Sequence, residues 1–284
     1  MSLVKRLLFL LFLVVSRATG AIELVIPNDP DYQSHPEYLA PLKSLAQEPE
    51  FAELNLRISV GRGGLERALS LDTSTPLLSV FVWSSSYYSL IKQAHSLPAI
   101  NSAIFADPDP IVQLELAKAF AGDKEQVGVI VNEQQSPALL RANRGPLKIE
   151  SLVSDRKNLF KSLRLVTTSS SMFLAIPDPD LFNGETSGSV IETLFDQRKA
   201  VIGYSPGFVK AGALATVYSE PDDLTQQIRD ALIFYKTNKK LPTASFPKYF
   251  KVKTNERVAR WLNYSVPEEG ALLIKLKKAA EVDQ

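Results

Sequence analysis

The fold of this chain is decided by the stretch Gln126-Val127-Gly128-Val129-Ile130-Val131, near the middle of its 284 residues. This short apolar run predicts a β-strand. It opens a second series of alternating strands and helices, and a similar series precedes it. Strands that alternate with helices predict parallel sheets with crossover helices. Two such series, each of about 100 residues, favour two similar lobes over one very wide sheet.

The elements of both series follow from the spacing of apolar residues. The run at residues 77–83 is continuously apolar and therefore predicts a strand buried on both faces. In the first series the predicted strands are residues 22–26, 54–60, 77–83 and 100–105, and the predicted helices are residues 36–47, 87–95 and 111–120. In the second series the predicted strands are residues 126–131, 147–153, 172–176, 201–204, 213–217 and 249–252, and the predicted helices are residues 137–143, 156–163, 186–198, 222–235 and 256–262.

Composition excludes several classes of function. The chain has no cysteine, so disulfides, thiolate nucleophiles and cysteine-based metal sites are excluded. Its only histidines are His35 and His95, and neither has a second metal ligand at a useful spacing. Basic and acidic residues number 32 and 31, which gives no basic surface for nucleic acid. We therefore expect no cofactor, no metal and no nucleic-acid partner.

The first twenty residues have the pattern of a secretory signal peptide. Lys5 and Arg6 precede a nine-residue apolar run, which is too short to span a bilayer, and small residues follow up to Gly20. We expect cleavage near Gly20 and export to the periplasm. The loss of Lys5, Arg6 and Arg17 changes the net charge from +1 to about −2.

Polar motifs follow several predicted strands. Three of these motifs contain alternating Asp and Pro: Asn28-Asp29-Pro30-Asp31, Asp107-Pro108-Asp109-Pro110 and Pro177-Asp178-Pro179-Asp180. Each motif alone favours a turn, because Asp caps helices and Pro ends strands. Together with two hydroxyl-rich turns they predict a polar rim at the strand ends, where open α/β sheets bind ligands. The candidate ligand-binding residues are Ser84, Ser85, Ser86, Tyr87, Asp107, Asp178, Asp180, Tyr204 and Ser205.

Motifs for catalysis are missing from the sequence. It has no Gly-x-Ser-x-Gly nucleophile elbow and no His-Glu-x-x-His zinc pair. The run Gly61-Arg62-Gly63-Gly64 matches no nucleotide-binding fingerprint, so it predicts a turn between a strand and a helix. A protein that is not an enzyme is the favoured interpretation, and a hydrolase that uses carboxylates in the cleft remains the alternative.

Three stretches carry a resemblance to a known family. They are residues 107–116 with the following Val127-Gly128-Val129-Ile130, residues 200–215 with their Ala-Gly-Ala-Leu-Ala segment, and residues 249–262. The chain resembles the periplasmic substrate-binding proteins of ABC transporters, in the group related to tryptophan- and tyrosine-binding members. The resemblance covers most of residues 21–267.

The resemblance implies an α/β fold of the type I periplasmic-binding class, in which two Rossmann-like lobes with parallel sheets are joined by a three-strand hinge. We place the three crossings near Asp107, Phe208 and Pro242. The expected boundaries are a signal peptide at 1–20, lobe 1 at 21–107 and 209–242, and lobe 2 at 108–208 and 243–284.

The resemblance also implies how a ligand is held. The small polar turn of the family corresponds to Ser84, Ser85 and Ser86. Its serine-aspartate motif after the fourth strand corresponds to Ala106 and Asp107, and its acidic loop in the second lobe corresponds to Asp178 and Asp180. Three departures stand out: Trp83 adds bulk to the turn, Ala106 lacks a hydroxyl, and no lipid-anchoring cysteine follows the leader. The last implies a freely diffusing protein rather than a lipoprotein.

The implied function is solute binding for an ABC-type transport system. A small polar, amino-acid-like ligand would lie in the cleft between the lobes, with its carboxylate on hydroxyls and backbone amides and its ammonium on a carboxylate. The expected partner of this monomer is a membrane permease. The alternative is a periplasmic sensing module that regulates a membrane signalling protein, since both roles need only ligand-dependent closure.

Overall fold

Two separate sheets form the framework of the chain. The computed structural model describes residues 22–27, 36–122, 126–132, 136–178, 180–182 and 185–281. The first sheet contains β1 (Ile22–Val25), β2 (Leu56–Val60), β3 (Leu77–Val82) and β4 (Asn101–Phe105). The second contains β5 (Gln126–Val131), β6 (Lys148–Val153), β7 (Met172–Leu174), β8 (Ala200–Gly203), β9 (Ala215–Tyr218) and β10 (Lys251–Thr254).

Helices connect the strands throughout the described ranges, and a 3-10 turn covers Pro49–Phe51. The helices before the second sheet are α1 (Pro36–Ala46), α2 (Gly61–Leu69), α3 (Ser84–Gln93) and α4 (Pro110–Ala121). Those that follow are α5 (Pro137–Ala142), α6 (Leu159–Val166), α7 (Ser187–Asp196), α8 (Pro206–Ala211), α9 (Pro221–Asn238), α10 (Glu256–Trp261) and α11 (Glu269–Glu281).

The strand pairing is that of an α/β protein. The first sheet has the order β1-β2-β3-β4, with every pair parallel. The second has the order β10-β9-β8-β7-β5-β6, and its described pairs are parallel except that of β10 with β9. The predicted α/β fold with parallel sheets in two lobes is therefore confirmed.

Helices cover both faces of each sheet. On the first sheet, α1 and α9 pack against one face through residues such as Leu42 and Ile228, and α2 and α3 cover the other through Leu65 and Tyr87. All six residues of β3 are buried as a result, which explains its continuous apolar character. We call this sheet with α1, α2, α3 and α9 lobe 1.

The second sheet is covered in the same way. Residues of α4, α5, α10 and α11 pack against one face, among them Leu114 and Leu276. Residues of α6, α7 and α8 cover the other face, among them Leu163 and Leu194. We call this sheet with these seven helices lobe 2.

The chain crosses between the lobes three times, and two crossings differ from the predicted positions. The first, between β4 and α4, lies at Asp107 as expected. The second was expected near Phe208, but the chain there forms α8 and then β9, which pairs with β8 in lobe 2. The crossing itself is at residues 219–220, between β9 and α9. Sequence reasoning missed α8, a helix of only six residues.

The third crossing also lies later than predicted. Beyond Pro242 the chain first runs along the free edge of β4, where Ser245 accepts a hydrogen bond from the Phe105 amide and donates one to the Ala103 carbonyl. It enters lobe 2 only between this segment and β10. Residues 209–218 therefore pack with lobe 2, and residues around Ser245 pack with lobe 1, contrary to the expected lobe boundaries. A proline predicts the end of an element, but not which sheet edge the following residues contact.

Gly203, the last residue of β8, allows α8 to pack closely against the sheet. A Cβ at this position would lie 2.5 Å from Cβ of Phe208. We expect Gly203→Ala to lower the free energy of unfolding by about 1–3 kcal/mol. The added methyl group would push β8 and α8 apart, and this would disturb the core between them.

Thermal unfolding followed by circular dichroism measures this effect. Gly188→Ala is the matched control. A Cβ at Gly188 has no heavy atom within 4 Å, and the residue lies in α7, where alanine is favoured over glycine. The control should leave Tm unchanged or raise it. Equal Tm values for Gly203→Ala and the wild-type protein would contradict the close approach.

Candidate functional site

The carboxyl ends of strands from both sheets face each other. Trp83 follows β3 in lobe 1, and Tyr204 follows β8 in lobe 2. Their rings meet edge to face, with centroids 6.2 Å apart and an interplanar angle of 67°. The strand ends of the two lobes therefore border one cleft, which is where ligands bind to open α/β sheets.

Helix N-termini add positive potential on both sides of this cleft. In lobe 1, α2 begins at Gly61 and α3 at Ser84, each directly after a strand. In lobe 2, α7 begins at Ser187, whose side chain forms a hydrogen bond with Tyr204. The first N–H groups of a helix have no partner within the helix, so these ends favour an anionic group of a ligand.

The predicted turn at Ser84, Ser85 and Ser86 is the first turn of α3 rather than a loop before it. Ser84 is buried, and its N–H and Oγ donate hydrogen bonds to the two carboxylate oxygens of Asp107, at 2.7 and 2.5 Å. Ser86 is buried as well. Asp107 thus caps α3 with both of its oxygens, and we assign it no contact with a ligand cation.

Burial dominates the electrostatics of Asp107. Removal from water raises the pKa of its carboxyl to about 6, although the bonds from Ser84 act in the opposite direction. The negative charge of Asp109 adds to the increase in pKa. The Asp107 carboxyl therefore takes up its proton at a higher pH than an ordinary aspartate.

Ser85 is the serine of this turn whose buried hydroxyl has no hydrogen-bond partner among the described residues. Its Oγ is buried and has no hydrogen-bond partner in the described structure. A buried hydroxyl without a partner costs free energy, and a polar ligand group can supply the missing bond. Ser85 lies in the first turn of α3, two residues after Trp83, whose ring lies at the boundary between the lobes.

Tyr87 contributes to the core instead of the cleft. It is buried, its hydroxyl donates a hydrogen bond to Asn101 Oδ1 at 3.2 Å, and its ring packs at 5.6 Å from that of Phe105. Burial raises the pKa of Tyr87 to about 12. The neighbouring Tyr88 is 39% exposed and lines a cavity beside the first crossing.

In lobe 2, the acidic motif after β7 forms a turn. Asp178 is buried, and its Oδ1 accepts hydrogen bonds from the N–H groups of Asp180 and Leu181 at 2.9 and 3.0 Å. Asp180 is exposed. These contacts agree with the turn that Asp and Pro predict. Asp178 lies near Tyr204, whose pKa is raised mainly by burial and also by the negative charge of Asp178.

Tyr204 is held rigidly at its position. Its hydroxyl donates a hydrogen bond to the Phe182 carbonyl at 2.9 Å, and its ring packs 4.5 Å from that of Phe208. Burial raises the pKa of Tyr204 to about 12. Ser205 follows at the N-cap of α8, is partly exposed, and makes no capping hydrogen bond with its side chain. Ser205 therefore places a partly exposed hydroxyl at the strand end of lobe 2.

The structure describes only part of the predicted motifs. The motif Asn28-Asp29-Pro30-Asp31 lies outside the described residues, as does the leader at 1–20. The glycines after β2 bring α2 against β1, because a Cβ at Gly64 would lie 2.5 Å from the Val25 carbonyl oxygen. Close packing explains this glycine, and the run Gly61-Arg62-Gly63-Gly64 forms the first turn of α2 instead of the separate turn that the sequence predicted.

An ion pair that sequence reasoning missed lies beside the cleft. Arg141 of α5 donates hydrogen bonds to both carboxylate oxygens of Asp109, at 3.0 and 2.5 Å, and the two side chains are only 15% and 7% exposed. Asp109 also caps α4 by accepting from the Ile111 N–H at 2.9 Å. The Arg141 guanidinium lies 5.8 Å from the ring centroid of Phe246, beside a cavity of about 350 Å³.

Gln113 is a further polar residue between the first crossing and β8. It is completely buried, and its Nε2 donates a hydrogen bond to the Gly203 carbonyl at 2.9 Å. Its Oε1 has no partner in the described structure. Among the described residues, no group of three or more His, Asp and Glu side chains could hold a metal ion.

We expect Asp107→Asn to stabilise the protein at pH 7.5, because the amide keeps the geometry with Ser84 while removing a buried charge. Since the folded state raises the pKa of Asp107 to about 6, its protonation stabilises the wild-type fold as pH falls through 6 towards the unfolded pKa. A rise of about two pKa units corresponds to about 3 kcal/mol.

Thermal unfolding of both proteins at pH 7.5 and 4.5 measures the difference directly. Most of the Tm advantage of Asp107→Asn should disappear at pH 4.5, where wild-type Asp107 is protonated in the folded state. A Tm difference that is independent of pH would show that Asp107 does not titrate in this range.

Comparison with known proteins supports the fold. No protein-family model and no curated protein sequence matches this chain. Its structure is similar to an ABC domain in complex with L-Trp from Streptococcus pneumonia, with a TM-score of 0.60 and 14% identity over 90% of this chain and 98% of the other. A conserved domain protein from Vibrio cholerae is also similar, with a TM-score of 0.59 and 15% identity over the same shares of the two chains.

A third similar structure is a substrate-binding protein with adhesive properties from Clostridium difficile, in its ligand-free, open form. Its TM-score is 0.58 at 14% identity, over 88% of this chain and 96% of the other. The chain therefore has the type I periplasmic-binding fold that the resemblance implied.

Proposed function

We propose that the protein is an exported solute-binding protein without catalytic activity, whose two lobes close on a small polar, amino-acid-like molecule. The observation that carries the proposal is the unpaired, buried Ser85 Oγ at the start of α3, in a cleft that Trp83 and Tyr204 border from opposite lobes. The three similar structures support it, because two of their descriptions name L-Trp and substrate binding.

The ligand carboxylate has a suitable place at the N-terminus of α3. The helix dipole and the first N–H groups favour a negative charge there, and Ser85 Oγ would donate a further hydrogen bond. A flat or apolar part of the ligand would lie against Trp83 and Tyr204. Ser205 would bind from lobe 2, so that the ligand itself links the two lobes.

The ligand ammonium would lie nearest the acidic turn of lobe 2. Asp178 lies close enough to Tyr204 for its charge to affect that side chain, and Asp180 is exposed. Asp107 is less suitable, because both of its oxygens already accept hydrogen bonds from Ser84. We assign the ammonium to Asp178 or Asp180. Ser84 and Asp107 serve as the supporting pair, and Tyr87 supports α3 from the core.

The first consequence is a change in ligand affinity. We expect Ser85→Ala to weaken binding by about 1.5–3 kcal/mol, or about ten- to a hundredfold, because a charge-assisted hydrogen bond is lost. Ser89→Ala is the matched control, because Ser89 is an exposed serine of the same helix. Its affinity should equal that of the wild-type protein.

A thermal-shift screen followed by calorimetry provides the measurement. The panel contains the common amino acids, nucleosides and small organic acids. We expect a hit among the molecules that carry both a carboxylate and an amine. The proposal fails if no member of the panel binds, or if Ser85→Ala and Ser89→Ala have the same effect.

The expected partner is a membrane permease that recognises the closed form, and the binding protein itself acts as a monomer. The same closure would serve a membrane signalling protein, so the class of partner is decided by the genes that accompany this one. A permease and an ATPase support transport. Among the described residues, no helix has the length and apolar character of a membrane span.

Export provides a separate prediction. We expect the protein recovered from the periplasm to have the mass of a chain that begins at Ala21, because signal peptidase cleaves after small residues. Leu10→Arg should retain the uncleaved protein in the cytoplasm by interrupting the apolar run. Uncleaved wild-type protein in the membrane fraction would contradict this location, and intact-mass spectrometry distinguishes the two outcomes.

A further inference from the structure

A groove lies on lobe 2 between α7, α8 and α10, and it shares no residue with the proposed cleft. Its volume is about 720 Å³, within the range of about 300–1,000 Å³ that is typical of small-molecule sites. The lining includes Gly188 and Phe195 from α7, Lys210 from α8, and Arg257 and Trp261 from α10.

Two exposed aromatic rings form one wall of this groove. Phe195 and Trp261 are 38% and 44% exposed, and they stack with centroids 4.1 Å apart at an angle of 12°. The Arg198 guanidinium lies 5.8 Å from the Trp261 centroid, beside the same pair. Exposed aromatic and arginine side chains that cluster in this way are typical of binding surfaces.

The charges around the groove favour an anion. Lys210 and Arg257 line it together with one carboxylate, Glu192, and all three are exposed. None of the three forms an ion pair within the described part of the chain. Two cations therefore line the groove against one carboxylate, and this balance favours a negatively charged ligand.

We propose that this groove is a second ligand site, which binds a planar aromatic anion. The ring packs against the exposed Phe195 and Trp261 pair, and the carboxylate or similar group meets Lys210 and Arg257. Aromatic stacking supplies the apolar part of the affinity, and the two cations fix the orientation. Glu192 opposes the anion and limits the affinity.

The two tryptophans of the chain allow each site to be observed separately, since Trp83 lies in the cleft and Trp261 in the groove. In a Trp83→Phe protein, the remaining fluorescence reports the groove. The probe is phenylacetate, and phenylacetamide is its uncharged control. We expect phenylacetate to quench Trp261 with a dissociation constant in the millimolar range or below, and phenylacetamide to bind at least about tenfold more weakly.

Four variants test the location of the probe. Arg257→Ala should weaken phenylacetate binding about tenfold, and Glu192→Gln should strengthen it severalfold. Gly188→Trp should abolish binding, because a side chain there enters open space in the groove. Lys236→Ala, which removes an exposed cation from α9 in lobe 1, is the matched control and should change nothing.

The outcomes separate this site from the cleft. Equal affinity for phenylacetate and phenylacetamide, or binding that survives Gly188→Trp, would overturn the proposal. So would loss of phenylacetate binding in Ser85→Ala, because the probe would then lie in the cleft. If the amino acid panel finds no cleft ligand while the groove variants behave as expected, the proposed function fails and the groove site stands.

Discussion

The buried contact between Ser84 and Asp107 is the interaction on which the candidate site depends. Asp107 follows β4 at the first crossing, and Ser84 is the first residue of α3 after β3. Two hydrogen bonds of 2.7 and 2.5 Å join them. Because the contact fixes where α3 begins, it also determines where Trp83 and the Ser85 hydroxyl lie. Two hydrogen bonds inside the protein hold this turn in one arrangement.

The same short crossing connects lobe 1 to lobe 2. Two residues after Asp107, Asp109 caps α4 and accepts two hydrogen bonds from Arg141 of α5. The cleft wall of lobe 1 and the first helices of lobe 2 are therefore coupled through one segment of four residues. Any movement of one lobe relative to the other would therefore change the surroundings of this segment.

The fold could be predicted to a large extent, because local patterns determine most of its elements. The apolar run at β5 has the predicted bounds, and that at β3 ends one residue earlier. The position of β9 in lobe 2 could not be predicted, because it depends on the close contact between Gly203 and Phe208 and on a six-residue helix. The run along β4 after Pro242 depends on contacts with Ser102 and Phe105, far away in the sequence.

The candidate site was predicted less completely than the fold. Strand ends indicate where polar residues gather, but not which oxygen atoms are already occupied. Asp107 and Ser85 illustrate this, since both oxygens of Asp107 accept hydrogen bonds from Ser84 and Ser85 Oγ has no partner in the described structure. Tyr87 and Tyr88 are neighbours in a helix, and packing against Phe105 and Asn101 decides that Tyr87 is buried. The pair of Arg141 and Asp109 joins residues 32 positions apart and has no local signal.

A crystal structure of the protein with the solute of highest affinity from the binding panel would show directly whether the cleft is the binding site. We expect density for the solute between Trp83 and Tyr204, with its carboxylate at the N-terminus of α3 and within hydrogen-bond distance of Ser85 Oγ. We also expect Asp107 to remain bonded to Ser84. A solute bound outside the cleft, or a cleft that holds only water while Ser85 Oγ bonds within the protein, would contradict this expectation.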